Sequence, residues 1–356
     1  MKYSNVSTFL LGILVAFAVV IILQKLRFVL VPFVISILLS IIFKPIVVFL
    51  KARKFTVIIS LVIVFFSLSL LISLLALFFY SSTGTFIETL PKYEAKFDAI
   101  TVKSIHWLNT LTQRAGIRLE DIRISDVLKM PLVKATVSAG FGSFFSFVGN
   151  TFLITLFMLF MLAGSGKLSG KVEKAFSSDH SRRITKVLQN IDSQARQYLL
   201  TKTLISAGTG TLTAVTLWLI GVDFPIIWGF LTFLLNFIPN IGSIVAAILP
   251  FILSLLQFDT VATPILVLMF LGTIQVLMGS ILEPKIMGFK LNLSPLVVLV
   301  SLIFWGWLWG FWGMILAIPM TATIKIIFEN IEALHPVSVL MGGEVSSREE
   351  PVSGNN

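Results

Sequence analysis

Long apolar runs, separated by short basic or polar segments, are the main pattern along the chain. The first five runs are Val6–Leu23, Phe28–Leu50, Thr56–Tyr80, Phe144–Ala163 and Leu204–Val222. A helix needs about 20 apolar residues to cross ~30 Å of hydrocarbon, and these runs approach or exceed that length. Their continuity argues against a membrane β-barrel, whose strands alternate over about ten residues. We therefore predict an all-α polytopic membrane protein with about eight transmembrane segments.

One later stretch, Pro225–Gln257, does not fit a simple span. As a straight helix its 33 residues would extend ~50 Å, yet two complete spans need about 40 residues. Its centre holds Asn236, Pro239, Asn240 and Gly242, and proline removes a backbone hydrogen bond and restricts the residue before it. Because unpaired amides cannot face lipid, we predict an interrupted or re-entrant hairpin whose bend lies inside the protein.

The last long stretch, Leu296–Ile327, has a similar break at Gly310 and Gly313. Each stretch begins at a proline, Pro225 or Pro295, and ends with "AAILP" or "LAIP", 25 or 24 residues later. Interrupted segments at corresponding positions of two halves indicate a transporter binding site. Since one single span precedes each stretch, we expect an inverted repeat in the C-terminal half.

The polar segments divide the chain into five parts. We predict a three-span unit, a polar extracytoplasmic helical insert, a fourth span with a cytoplasmic amphipathic helix, a transport core with two broken hairpins, and a disordered cytoplasmic tail. These parts are residues 1–80, 81–142, 143–202, 203–332 and 333–356. The segment 164–202 holds eight basic and three acidic residues, against eight and six in the insert. The positive-inside rule therefore places both termini in the cytoplasm.

Few polar side chains in the apolar part suit a binding site. Asn236 and Asn240 offer amides for a polar solute or a dehydrated cation, although Asn240 also suits a simple turn. Glu283, at the end of an apolar run, is a candidate for binding a proton or cation, and the alternative is an ion pair with Lys285. The threonines of residues 209–213, close to two glycines, favour close helix packing over solute contact.

Composition supports a membrane protein and excludes several kinds of chemistry. The chain is 56% hydrophobic and 12% charged, about half the charge of a soluble domain. The absence of cysteine excludes thiolate sites, and the three histidines are far apart in sequence. The net charge of +10 comes from basic residues that lie beside the apolar runs, as in cytoplasmic anchors. The chain has no motif for nucleic-acid recognition. "GSGKLSGKV" lacks the spacing of a phosphate loop.

The order of these parts resembles a known family. The N-terminal "VPFVISILLSIIFKPIVVFL", the stretch "NFIPNIGSIVAAILP", and the later "EPKIMGFKLNLSP" and "WGFWGMILAIPM" are similar to the AI-2E family of bacterial permeases. The resemblance covers roughly residues 8–332. It implies a protein of the bacterial cytoplasmic (inner) membrane that moves a small solute without ATP, and autoinducer-2, a quorum-sensing signal, is the leading cargo.

Three functions remain as hypotheses. The first is a secondary or facilitative exporter of a small polar solute, and the second is a sodium (cation)/proton antiporter of the same family. The third is a scaffold without transport activity. We expect no enzymatic activity and no cofactor, with H⁺ or Na⁺ as candidate coupling ions. The expected partners are the solute or cation and the lipid bilayer, not nucleic acid, and a homo-oligomer is an open alternative. The candidate site is Asn236, Pro239, Asn240, Gly242, Glu283, Gly310 and Gly313.

Overall fold

A computed structural model of the chain describes residues 2–77, 149–164, 168–287 and 292–343, together with Thr89, Tyr93, Lys96 and Gly142. Most of the predicted insert, and the tail beyond residue 343, lie outside these residues. The described segments are helical, as the apolar runs predict. The tail, predicted to be disordered from residue 333, begins with a short helix, His335–Met341.

Twelve helices and one π-helical segment are described. They are α1 (Lys2–Lys25), α2 (Arg27–Ala52), α3 (Val57–Leu77), α4 (Gly149–Gly164), α5 (Leu168–Ala175), α6 (Ser178–Ile220), α7 (Pro225–Leu235), α8 (Ile241–Gln257), α9 (Ala262–Gln275), the π-helix Val276–Leu282, α10 (Glu283–Met287), α11 (Pro295–Glu329) and α12 (His335–Met341).

Five of the described helices are long and apolar enough to cross a membrane. These candidate spans are Arg27–Ala52, Val57–Leu77, His180–Ile220, Ala262–Ile286 and Pro295–Glu329. Four shorter apolar helices accompany them, among them both helices of the first interrupted stretch. The prediction of an all-α multi-pass membrane protein is therefore confirmed, whereas the count of eight segments stays a prediction.

Local sequence explains where several helices begin. Pro225 and Pro295 each occupy the first turn of a helix, where the missing N–H costs no intrahelical bond. The side chain of Ser294 caps α11 by accepting a hydrogen bond from the backbone N–H of Val297. The segment predicted as an amphipathic helix before the fifth apolar run belongs to α6, which continues without a break from Ser178 to Ile220.

The chain forms two compact units, each assembled from separated segments. The first comprises Met1–Val64, Leu153–Leu204 and Glu283–Asn356, and the second comprises Phe65–Phe152 and Ile205–Leu282. In the first unit, Ile41 of α2 packs with Tyr198 and Leu199 of α6.

The core of the second unit combines residues of α6, α8 and α9 with Tyr93. Where α6 crosses α7, two glycines allow a close approach: a Cβ on Gly210 would lie 2.5 Å from the carbonyl oxygen of Gly229. The predicted close packing at this part of α6 is thus observed. Loss of either glycine would push the two helices apart.

Tyr93, a residue of the predicted insert, packs inside the second unit. Its phenol is buried and donates a hydrogen bond to the carboxylate of Asp223, just beyond α6. Three residues later, Lys96 donates to the backbone oxygen of Phe258 and pairs with Asp259 at 2.7 Å. Burial raises the pKa of Tyr93 above its ordinary value, and the hydrogen bond and negative charge of Asp223 raise it further.

This contact predicts a loss of stability in alkaline solution. Because the pKa of Tyr93 is higher in the folded state, its contribution is complete below the unfolded pKa of about 10 and falls as the pH rises above it. We expect the difference between the ultraviolet phenolate titrations of the wild type and Tyr93→Phe to show a group that ionises well above pH 10. A difference curve centred near pH 10 would contradict a buried, hydrogen-bonded phenol.

Candidate functional site

The first interrupted stretch is a helical hairpin. Helix α7 ends at Leu235, α8 begins at Ile241, and the two helices pack against each other. The bend brings the backbone of Gly242 so close that a Cβ there would lie 1.8 Å from the carbonyl oxygen of Leu235. Since that oxygen belongs to the backbone, no side-chain movement would relieve the clash. Gly242 is therefore required by the bend.

Asn240 forms the tip of the bend. Its φ of 58° and ψ of −56° lie in the positive-φ region, which asparagine enters more readily than most residues. The side chain is exposed and does not cap α8. The backbone of Pro239 takes part in the same turn by accepting a hydrogen bond from the N–H of Ile241. Asn240 and Pro239 thus shape the turn, while the Asn240 amide stays accessible.

Asn236 has a different environment. It is 4% exposed, and its amide donates a hydrogen bond of 3.1 Å to the hydroxyl of Ser206, which is fully buried on α6. One turn earlier, the hydroxyl of Thr232 is buried without a partner among the described residues. Asn236 therefore holds the start of the bend against α6, next to an unsatisfied polar atom.

The second interrupted stretch also folds back on itself. Within α11, Gly310 has a φ of 64° and a ψ of −142°. These backbone angles lie outside the helical region. The hydroxyl of Thr321 donates to the hydroxyl of Ser301 over 2.9 Å. In a straight helix, residues 20 apart would be separated by ~30 Å. The helix is thus broken at Gly310 into two arms that lie side by side.

Gly313 repeats the role of Gly242. A Cβ at Gly313 would lie 1.8 Å from the carbonyl oxygen of Trp305, the same clearance as in the first hairpin. In both hairpins the glycine comes two or three residues after a position with positive φ, Asn240 or Gly310. The similarity predicted from the sequence is therefore present in the local backbone geometry.

A chain of hydrogen bonds joins the arms of the second hairpin. The indole N–H of Trp305 donates to the hydroxyl of Thr321 over 3.3 Å. The Thr321 hydroxyl donates to Ser301, and the Ser301 hydroxyl donates to the carbonyl oxygen of Val297 over 2.6 Å. Trp305, Ser301 and Thr321 are all buried. Polar side chains therefore lie buried between the two arms and form hydrogen bonds with each other there.

The candidate residue Glu283 forms an ion pair with a buried lysine, Lys202. The ammonium of Lys202 on α6 lies 2.6 Å from Oε1 of Glu283, the first residue of α10, and the two side chains are 5% and 20% exposed. The two residues belong to different candidate spans, His180–Ile220 and Ala262–Ile286. Buried charges are costly unless they are paired and hydrogen-bonded, as these two are.

Helix α6 carries a continuous buried polar face that includes Lys202. Its members recur every three or four residues, so they share one side of the helix, and none is more than 4% exposed. They are Tyr198, Lys202, Ser206, Thr209 and Thr213. The face extends ~22 Å along the helix, from the 1.5 Å rise per residue. Buried serine and threonine side chains of this kind are usual where membrane helices pack closely.

Comparison with known proteins identifies the family. The family model for AI-2E family transporters matches residues 11–333. The chain belongs to this family. It is similar to the "AI-2 transport protein TqsA" of Escherichia coli K12, with 32% identity over 90% of this chain and 92% of that protein. It is equally similar, at 32% identity over 95% and 97%, to a "Putative transport protein" of Haemophilus influenzae. Another "Putative transport protein", from Borreliella burgdorferi, is 37% identical over 62% of this chain and 61% of its own length.

Membership of the AI-2E transporters confirms the family predicted from the sequence and makes the protein a membrane permease. The structure brings Asn236, Pro239, Asn240 and Gly242 together at the first bend. It places Gly310 and Gly313 at the second bend, where they shape the backbone.

The predicted alternative partner of Glu283 was wrong: the carboxylate pairs with Lys202, whereas Lys285 is exposed. Lys202 was not predicted as a site residue, because it ends a basic segment of the sequence. A signal was available, since Lys202 continues the apolar stripe of Ala195 and Tyr198 at helical spacing.

Proposed function

We propose that this AI-2E transporter exports a small polar solute as a secondary or facilitative permease, and that its broken hairpins take part in transport. The observation that carries this proposal is the repeated bend, in which a glycine fits against a backbone carbonyl beside buried polar side chains. Broken helices of this kind are tolerated in membranes where they are enclosed by protein or border a wet cavity. Polar groups at the bends suit a solute with several hydroxyl groups.

The lengths of the hairpin arms favour re-entrant segments. Helix α7 has 11 residues and α8 has 17, about 16 and 25 Å at 1.5 Å per residue. Both are shorter than the ~30 Å hydrocarbon core. We therefore propose that the first hairpin enters the membrane and returns without crossing it. In the bacterial inner membrane, the basic segment around α5 and the start of α6 would face the cytoplasm.

Autoinducer-2 is the leading cargo, because a relative that aligns with nine-tenths of this chain carries that substrate in its name. The test is counterflow in proteoliposomes that contain the purified full-length protein and are loaded with autoinducer-2. We expect labelled autoinducer-2 to exchange across the membrane faster than in protein-free vesicles. Exchange of other small polyols but not of autoinducer-2 would show that the cargo is a different solute. Absence of exchange for every solute would contradict the proposal that the protein is a permease.

Cation/proton exchange is the second candidate, and Glu283 is the observation that favours it. Glu283 belongs to the candidate span Ala262–Ile286, and its side chain is 20% exposed. Sodium-driven proton flux in vesicles without any solute would favour the exchanger. If Glu283→Gln left such a flux intact, Glu283 would not be its ion site.

Asn240 offers a direct test of solute contact. Asn240→Gly removes the amide while glycine adopts positive φ without strain. We expect normal folding and roughly tenfold slower autoinducer-2 exchange, the loss of about one hydrogen bond to the solute. Lys54→Gly is the matched control, because Lys54 also has positive φ (68°) but lies outside the hairpins. Unchanged exchange in Asn240→Gly would limit Asn240 to its role in the turn.

A further inference from the structure

We propose that Lys202 and Glu283 form a proton-binding site and that a proton entering the cell through it is exchanged for the exported solute. The inference rests on the proposed export function and names its coupling ion. The ammonium and the carboxylate are 2.6 Å apart and bridge two candidate spans. Together they form a neutral pair, the form in which buried charges are tolerated.

The two partners differ in burial. Glu283 is 20% exposed and Lys202 only 5%, so the carboxylate is the less buried member of the pair. A proton that binds the carboxylate neutralises Glu283 and leaves the Lys202 ammonium buried without a counter-charge. An uncompensated buried charge strongly disfavours the conformation that holds it. Protonation therefore shifts the population towards a conformation in which Lys202 has another partner or reaches water.

Two neighbouring features suit such a shift. The π-helix Val276–Leu282 ends directly before Glu283, and π-helical turns are rare and occur frequently at functional sites. The hydroxyl of Tyr198, one turn before Lys202 on α6, is buried without a hydrogen-bond partner among the described residues. An unsatisfied buried hydroxyl is unusual, and it provides an acceptor for the ammonium when Glu283 is protonated.

Among the described residues, the other charged groups on the elements packed around this part of α6 are paired or exposed. Helix α2 and the second arm of α11 pack around Tyr198. On these elements, Lys44 pairs with Asp192 and Lys325 pairs with Glu329. On α10, Lys285 is exposed.

Sodium fits the pair less well than a proton does. The position beside Oε1 of Glu283 is filled by the Lys202 ammonium. A sodium ion would have to displace that group and gather several oxygen ligands, whereas a proton binds the carboxylate without needing room.

The test uses the full-length protein in proteoliposomes, with the membrane voltage clamped and autoinducer-2 as the probe. Exchange at equal pH measures the proposed export, and accumulation driven by a pH gradient measures coupling. With one proton per solute, a gradient of one pH unit supports a roughly tenfold concentration ratio. We expect wild type to approach this ratio, and Glu283→Gln to lose the gradient-driven accumulation. Asp192→Asn, which breaks the more exposed pair on the same helix, is expected to keep both.

Several outcomes would overturn the proposal. Wild-type exchange without any response to a pH gradient, or gradient-driven accumulation by Glu283→Gln, would each do so. If Glu283→Gln is inactive, Lys202→Met/Glu283→Gln removes the unpaired ammonium, and this double variant is expected to exchange without coupling. Gradient-driven accumulation by the double variant would overturn the proton site.

A second readout does not depend on the cargo. Carbodiimides react with protonated carboxyl groups, so mass spectrometry is expected to show modification of Glu283 that increases as the pH falls. If autoinducer-2 does not exchange, the proposed cargo fails while this labelling still decides the proton site. Absence of labelling at every pH would overturn the site.

Discussion

Gly242→Ala is expected to destabilise the transporter by 3 kcal/mol or more, beyond the ~1–3 kcal/mol typical of an overpacked core. The added Cβ would lie 1.8 Å from the backbone oxygen of Leu235 and 2.7 Å from its carbonyl carbon. Relief of this clash requires the bend to open, which would also disturb the Asn236–Ser206 hydrogen bond nearby. The measurement is the free energy of unfolding of the purified protein in mixed micelles, followed by circular dichroism.

Gly272→Ala is the matched control for this substitution. Gly272 lies in α9 of the same compact unit, and a Cβ there meets nothing within 4 Å. Alanine has the higher helix propensity by up to about 1 kcal/mol, so the control is expected to be neutral or slightly stabilising. Equal stabilities for the two variants would show that the bend is looser than the described geometry. Gly313→Ala is expected to behave like Gly242→Ala, since its clearance is the same.

The sequence predicted the two bends because length and hydrogen bonding restrict a membrane segment strongly. A largely apolar stretch of 33 residues is too long for one span and too short for two, and the glycines and prolines mark where the break falls. The similar distance from Pro225 and from Pro295 to the end of each stretch was enough to recognise the two stretches as equivalent. Gly242 and Gly313 then proved to have the same close contact with a backbone oxygen.

The sequence did not predict which polar groups meet. Lys202 looked like part of a cytoplasmic basic segment, and its burial depends on a partner 81 residues away. Ser206 is similar: its hydrogen bond to Asn236 joins positions 30 residues apart. Helical periodicity assigns a residue to a face of its own helix, but it does not say what lies opposite. Pairings of this kind follow from the packing of whole helices.

Lys202→Met is expected to cost about 3 kcal/mol of folding stability, the lower end for breaking a buried ion pair, since Glu283 keeps a fifth of its surface exposed. Glu283→Gln is expected to cost more, up to about 5 kcal/mol, because it leaves an ammonium that is only 5% exposed. The double variant is expected to be more stable than Glu283→Gln alone, since neither unpaired charge remains. Unfolding free energies of the four proteins form a double-mutant cycle that isolates the pair.

Lys44→Met separates the effect of burial from the loss of a lysine. Lys44 also pairs with an acid of α6, Asp192, at 3.0 Å, but the two side chains are 36% and 32% exposed. Exposed pairs contribute about 0–1 kcal/mol, so Lys44→Met is expected to change stability by no more than that. If both lysine variants lost the same small amount, Lys202 would be solvated in the folded protein. A large loss confined to Lys202 would show that its ammonium is buried in the folded protein and depends on Glu283 as its partner.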